Sequence, residues 1–216
     1  MWFPIRNKKR RGLTKSERRR KKKEQSKNRK LVKKYYWLAP RNVWTDKVPD
    51  DYDYTYIEWG WSDGWDKAFG HLYMEELGKA IKKSGQKNFE ILQIKEKYGQ
   101  ARLYSSGTTE KVHNIIDKYE FISQNICYYC GRPDTHVTNF GWILPVCKEC
   151  YEKKLRRGSK YEYEEIVCDE DPMIPSIRKV TQFSKDGEQT IEYDISETVG
   201  KIRKWWNKKH PNKSIN

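Results

Sequence analysis

The 216 residues include 35% charged and 36% hydrophobic positions at a mean hydropathy of −1.08, which excludes a large core and suits one compact domain with appendages or two small ones. No stretch approaches the ~18 consecutive apolar residues of a membrane span, and the start of the chain lacks the apolar run of a secretory signal, so the expected location is a cytoplasm (a host cytoplasm if the protein is viral) with no membrane partner. The formal net charge is +15, and residues 1–34 alone hold 17 Lys/Arg against Glu17 and Glu24.

The first expected element is therefore a basic arm over residues 1–36. Thr14 followed by Glu17 has the spacing of a capping box, and no Pro or Gly interrupts Lys15 to Leu38, so the arm is expected to be helical or partly disordered. Leu13, Leu31 and Val32 are too few to make an apolar stripe for a core or a membrane. Clustered like charges repel, and a polyanion relieves that repulsion while releasing condensed counterions. Nucleic acid, RNA or DNA, is the expected partner, held mainly through phosphates by Lys8, Lys9, Arg10, Arg11, Arg18, Arg19, Arg20, Lys21, Lys22, Lys23, Arg29 and Lys30. The competing reading folds the arm onto the acidic segment 46–66, where seven carboxylates face the single Lys47.

An α+β core is expected over 37–126. Tyr52, Tyr54 and Tyr56 alternate as in a strand. Ser62 is placed to cap a helix over 63–84, with Trp65, Phe69, Leu72, Tyr73, Leu77, Ala80 and Ile81 at helical spacing and Gly85 as its stop. Phe89–Ile94 and Ala101–Tyr104 read as two strands joined through Lys97-Tyr98-Gly99. Lys95, Lys97 and Arg102 gather at that hairpin tip, either as a phosphate-contacting surface or as a solvated turn. A helix after Gly107-Thr108-Thr109 buries Val112, Ile115, Ile116, Tyr119 and Ile122 and leads straight into Cys127.

The strongest chemical signal lies in 127–157. Cys127, Cys130, Cys147 and Cys150 form two C-x2-C pairs sixteen residues apart, the spacing of a four-cysteine zinc site. A hairpin over Phe140-Gly141-Trp142 followed by a helix from Cys147 resembles a treble-clef finger or ribbon, and four thiolates close the shell around one structural Zn2+. Thiol–disulfide exchange at one pair is the competing reading, with no thioredoxin-type βαβ unit nearby to favour it. Cys168 stands outside the set.

Within this module Asp134-Thr135-His136 is similar to part of an HNH nuclease motif, but the following helix, Lys148-Glu149-Cys150-Tyr151-Glu152, lacks the second metal-binding His. A degenerate nuclease is thus the weaker alternative, and no catalytic residue is assigned. Residues 158–216 are expected to form a connector at Asp169–Pro175, a hairpin about Lys185-Asp186-Gly187 and a short basic helix with Val199, Ile202, Trp205 and Trp206. That tryptophan pair either docks the helix on its own sheet or stacks on unpaired bases.

From Trp59 to about Glu152 the chain resembles a family of uncharacterised phage and prophage proteins. The resemblance rests on Gly64-Trp65 before a helix, Gln93-Ile94-Lys95-Glu96-Lys97-Tyr98-Gly99, Arg102-Leu103-Tyr104, the helix over 109–125 and the paired C-x2-C, with Gln100 standing where the family has glycine. It implies a zinc-containing core and a viral accessory role, and it supplies no activity. Together these features predict a zinc-stabilised nucleic-acid-binding accessory protein. The alternative is an interaction module that modulates a host nucleic-acid enzyme or defence complex.

Overall fold

The structure is a computed structural model that describes residues 12–39, 45, 47–54, 57, 59–86, 88–139, 142–155, 164–166, 174, 177–184 and 187–215. The chain divides into two compact units, Met1–Glu58 and Trp59–Asn216. It combines helices with small antiparallel sheets.

In the first unit, helix α1 runs Lys15–Lys34 and leads through Tyr35 into a 3-10 turn, Tyr36–Leu38. Its start is the expected capping box: the Glu17 amide donates to Thr14 Oγ1 at 3.3 Å, and the Thr14 amide donates to Glu17 Oε2 at 2.7 Å. Lys33 and Lys34 in the last turn suit the negative end of the helix dipole. The tyrosine alternation does not make a strand among the described residues. Tyr54 takes φ 58° and turns the chain, and a left-handed residue cannot continue a β-ladder.

The second unit opens with helix α2, built from a first turn Asp63–Trp65, a π-helical stretch Asp66–Gly70 and an α-helical body His71–Ser84. Ser62 Oγ accepts from the Trp65 amide, and Gly85 closes the helix at φ 66°. Strands β1 (Glu90–Lys97) and β2 (Gln100–Ser106) form an antiparallel hairpin in the register Lys97↔Gln100 and Lys95↔Arg102. Helix α3 follows at Glu110–Ser123 and packs on α2 and β2. Their shared core is aromatic. Tyr73 and Tyr119 stack at 4.3 Å, with Phe69 and Trp61 around them. Val112, Ile116, Tyr119 and Ile122 are buried as the periodicity requires, while Ile115 is only half-buried.

Strands β3 (Val137–Asn139), β4 (Ile143–Pro145) and β5 (Glu164–Ile166) make a second sheet in the order β4-β3-β5. The short helix α4, Lys148–Cys150, continues as a π-turn Tyr151–Leu155. Strands β6 (Ile177–Ser184) and β7 (Gly187–Asp194) pair in register from Ile177↔Asp194 to Ser184↔Gly187, leaving the two-residue turn 185–186, like Cys168 and most of the 169–175 connector, outside the described residues.

Helix α5, Ser196–Lys209, packs on the π-stretch of α2. Its tryptophans dock elsewhere than expected. Trp206 is buried, stacks on His210 at 4.0 Å and donates its indole N–H to Lys213 O. Trp205 lies against Gly131 of the cysteine knuckle. A polar cluster ties the three long helices of the unit: Lys118 of α3 donates to Glu76 of α2 and, at 3.1 Å, to Thr198 of α5.

Candidate metal centre and nucleic-acid interface

The cysteine centre is assembled by local turns and one long-range clamp. Gly131 N donates to Cys127 O and Cys127 N to Arg132 O, which folds the first pair into a knuckle with Gly131 at φ 81°. Tyr128 N donates to Pro145 O and brings the end of the β3–β4 hairpin alongside. Cys147 begins the turn that carries Cys150.

The four sulfurs lie within 4.8 Å of one another, and Cys130 Sγ is 3.7 Å from Cys147 Sγ. A tetrahedral ion with ~2.3 Å bonds to sulfur needs edges of about 3.8 Å. The group therefore has the dimensions to hold a metal ion, and all four cysteines are free rather than disulfide-bonded. Donation from Cys130, Cys147 and Cys150 and from the Cys147 backbone N–H, at 3.4 Å, holds Cys127 well below the ordinary thiol range. Cys130 and Cys150 are raised by the Cys127 sulfur they share protons with. Leu144, Val146 and Tyr151 close the apolar wall of the centre.

This module is fused to the core. Gly64 N donates to Tyr128 O, the Trp65 indole donates to Ile126 O at 2.9 Å, and Tyr128 packs edge-on to Trp65 at 5.1 Å. Gly64 sits so close to the knuckle that a Cβ there would lie 2.5 Å from both Cys127 O and Tyr128 O.

Two members of the nuclease-like triplet make structural contacts, with Thr135 Oγ1 donating to Arg132 O at 3.0 Å. Asp134, at φ 53°, takes a two-pronged ion pair from Arg203 of α5 at 2.8 and 3.0 Å and also accepts from Ile174 N. His136 is half-buried, and among the described residues the four cysteines are the group that could hold a metal ion.

Of the twelve cationic residues expected at the nucleic-acid interface, Arg18, Arg19, Arg20, Lys21, Lys22, Lys23, Arg29 and Lys30 lie on α1, while Lys8, Lys9, Arg10 and Arg11 lie outside the described residues. α1 has one partly covered stripe, Lys21, Gln25, Asn28 and Val32, at helical spacing. There Asn28 Nδ2 donates to Tyr54 O at 2.8 Å, Lys21 pairs with Asp53 at 3.1 Å and Arg29 lies over the Tyr54 ring. The fold-back contact read from the acidic segment thus exists at Asp53 and Tyr54, and it engages one face of the helix.

Sequence reasoning missed Asn28, the Gly64 clamp and the Asp134–Arg203 pair, each of which joins positions far apart in the chain. At the β1–β2 tip it placed Arg102 with Lys95 and Lys97. The register does set Lys95 across from Arg102, and Arg102 in addition pairs with Glu120 of α3 at 2.6 Å; burial raises the Glu120 carboxyl and Arg102 offsets part of that rise.

Comparison with known protein families, with curated proteins and with solved structures finds no match to this chain. No described helix is long and apolar enough to cross a membrane.

Proposed function

We propose that this protein is a zinc-stabilised accessory protein that binds RNA or DNA through its basic N-terminal arm, mainly by phosphate contacts. The supporting observation is α1 itself. It carries twelve Lys/Arg in twenty residues, and all but Lys21 are exposed. At 1.5 Å per residue that is one cation per about 2.5 Å of helix, a density comparable with the one phosphate per ~1.7 Å of a duplex axis. Among the described residues the ion pair to Asp53 engages Lys21, on the one partly covered stripe of the helix, and the other faces of α1 stay exposed.

In this reading the ion is Zn2+. A tetrahedral set of four thiolates suits zinc, leaves no open position for a catalytic water and stabilises the fold. The resemblance of residues 59–152 to phage and prophage proteins supports a viral accessory role in a reducing host cytoplasm. Metal analysis of the purified protein should give about one zinc per chain. Titrating single- and double-stranded RNA and DNA at two salt concentrations tests the arm. A host protein retained after nuclease treatment, with no oligonucleotide bound, would transfer the function to a protein partner.

A further inference from the structure

The tip of the β1–β2 hairpin and the β3–β4 hairpin of the cysteine module enclose a cleft of about 450 Å³ lined by Lys95, Glu96, Lys97, Tyr98, Trp142 and Ile143. Two of its walls are aromatic rings left to solvent, Tyr98 at 73% and Trp142 at 60% exposure, where burial would be the ordinary fate of such side chains. Glu96 holds the walls in place: Oε1 accepts from Gly99 N at 2.8 Å and Oε2 accepts from the Trp142 indole at 3.2 Å. Its charge is thereby engaged by two donors, while Lys95 and Lys97 lie over the Tyr104 and Tyr98 rings and pair with no carboxylate among the described residues.

The turn adds an independent observation. Tyr98 and Gly99 have φ of 52° and 78°, the pair of positive values of a type I′ turn, whose first position favours asparagine or glycine. A tyrosine there is held in a backbone conformation it disfavours, and its ring makes no core contact to offset that cost.

We propose that this cleft is a stacking site for unpaired nucleobases, so that the protein prefers single-stranded nucleic acid. Tyr98 and Trp142 present ring faces to the base, and Lys95 and Lys97 meet the flanking phosphates. Base pairing in a duplex hides those faces, which makes the site selective for strand state rather than sequence. The inference rests on the nucleic-acid reading above for its ligand class, but it uses none of the residues of the arm.

The test uses the full-length protein and an oligonucleotide of roughly 12 nucleotides, within the span of known single-strand sites, carrying 2-aminopurine and offered alone or annealed to its complement. Wild type should bind the single strand more tightly and change the 2-aminopurine fluorescence by stacking. Tyr98→Asn and Trp142→Ala should each lower single-strand affinity roughly tenfold, abolish the fluorescence change and leave duplex affinity unaltered. Tyr98→Phe should keep the wild-type behaviour. Tyr98→Asn should also raise the melting temperature, because asparagine suits the turn, so lost binding cannot be ascribed to unfolding.

Equal affinity of wild type for both forms, or a single-strand preference that survives Tyr98→Asn and Trp142→Ala, overturns the cleft and leaves the arm reading intact. A variant with neutral residues at 18–23 that binds as wild type does overturns the arm reading, and a strand preference lost only with the aromatic substitutions then still supports the cleft. Binding of neither form by wild type overturns both.

Discussion

The backbones of Gly64 and Gly131 meet with no room for a side chain on either: a Cβ on Gly64 would lie 2.7 Å from Gly131 N, and one on Gly131 would lie 2.7 Å from Gly64 O. The start of α2 and the cysteine knuckle are therefore joined main chain to main chain, with Gly64 N donating to Tyr128 O. Gly64→Ala should cost about 2–3 kcal/mol by overpacking and speed loss of metal to a chelator. Gly85→Ala is the control, since only φ 66° opposes it and space is open, and it should cost about 1 kcal/mol with metal retention unchanged. Denaturant midpoints and chelator-release rates check both; equal effects of the two variants would contradict the clamp.

Asp134 and Arg203 form a largely buried pair, with side-chain exposures of 7% and 19%, between the cysteine module and α5. Removing one partner strands the other, so Arg203→Ala should destabilise by about 3 kcal/mol. In a double-mutant cycle with Asp134→Ala, the double variant should lose clearly less than the sum of the singles, as coupled neighbours do. Additive losses would mean that the pair contributes no specific coupling.

Metal and protons compete for the same sulfurs. The stability that the ion supplies should be full at neutral pH and fall as acid protonates the thiolates, and chelation at neutral pH should lower the melting temperature sharply and cooperatively. Cys150→Ser should reproduce the chelated state. A metal-free protein with the melting temperature of the native one would contradict a structural ion.

Seating of α1 depends more on Asn28 than on its charges. Losing the bond from buried Asn28 to Tyr54 O should cost the first unit about 1 kcal/mol, the usual net worth of such a hydrogen bond. Lys21→Ala should cost less than about 0.5 kcal/mol, as exposed ion pairs do. Amide exchange along α1 checks the order; faster exchange in Lys21→Ala than in Asn28→Ala would reverse it.

Features set by short-range chemistry were legible in the sequence: the Thr14–Glu17 box, the Ser62 cap, the Gly85 stop, both strands of the β1–β2 hairpin and the four-cysteine set. What was hidden depends on partners distant in the chain. The tyrosine alternation at 52–56 suggested a strand because periodicity alone cannot tell whether a neighbouring strand exists to pair with it. Arg102 looked available until α3 brought Glu120 beside it. Trp205 and Trp206 were expected on a sheet, whereas α5 settles on α2 and on Gly131, a surface created only when the cysteine knuckle has formed. The π-stretch Asp66–Gly70 likewise has no local signal. It occurs where Trp59 donates to Asp66 and Trp61 crowds Gly70.

The most direct test of the central claim is the salt dependence of nucleic-acid affinity, measured for the full-length protein and for the variant with neutral residues at 18–23. With six cations gone, the account predicts a large loss of affinity and a slope of log K against log salt that is shallower by roughly four to five, since each released counterion contributes about 0.7–0.9. An unchanged affinity and slope would contradict the arm as the nucleic-acid-binding element.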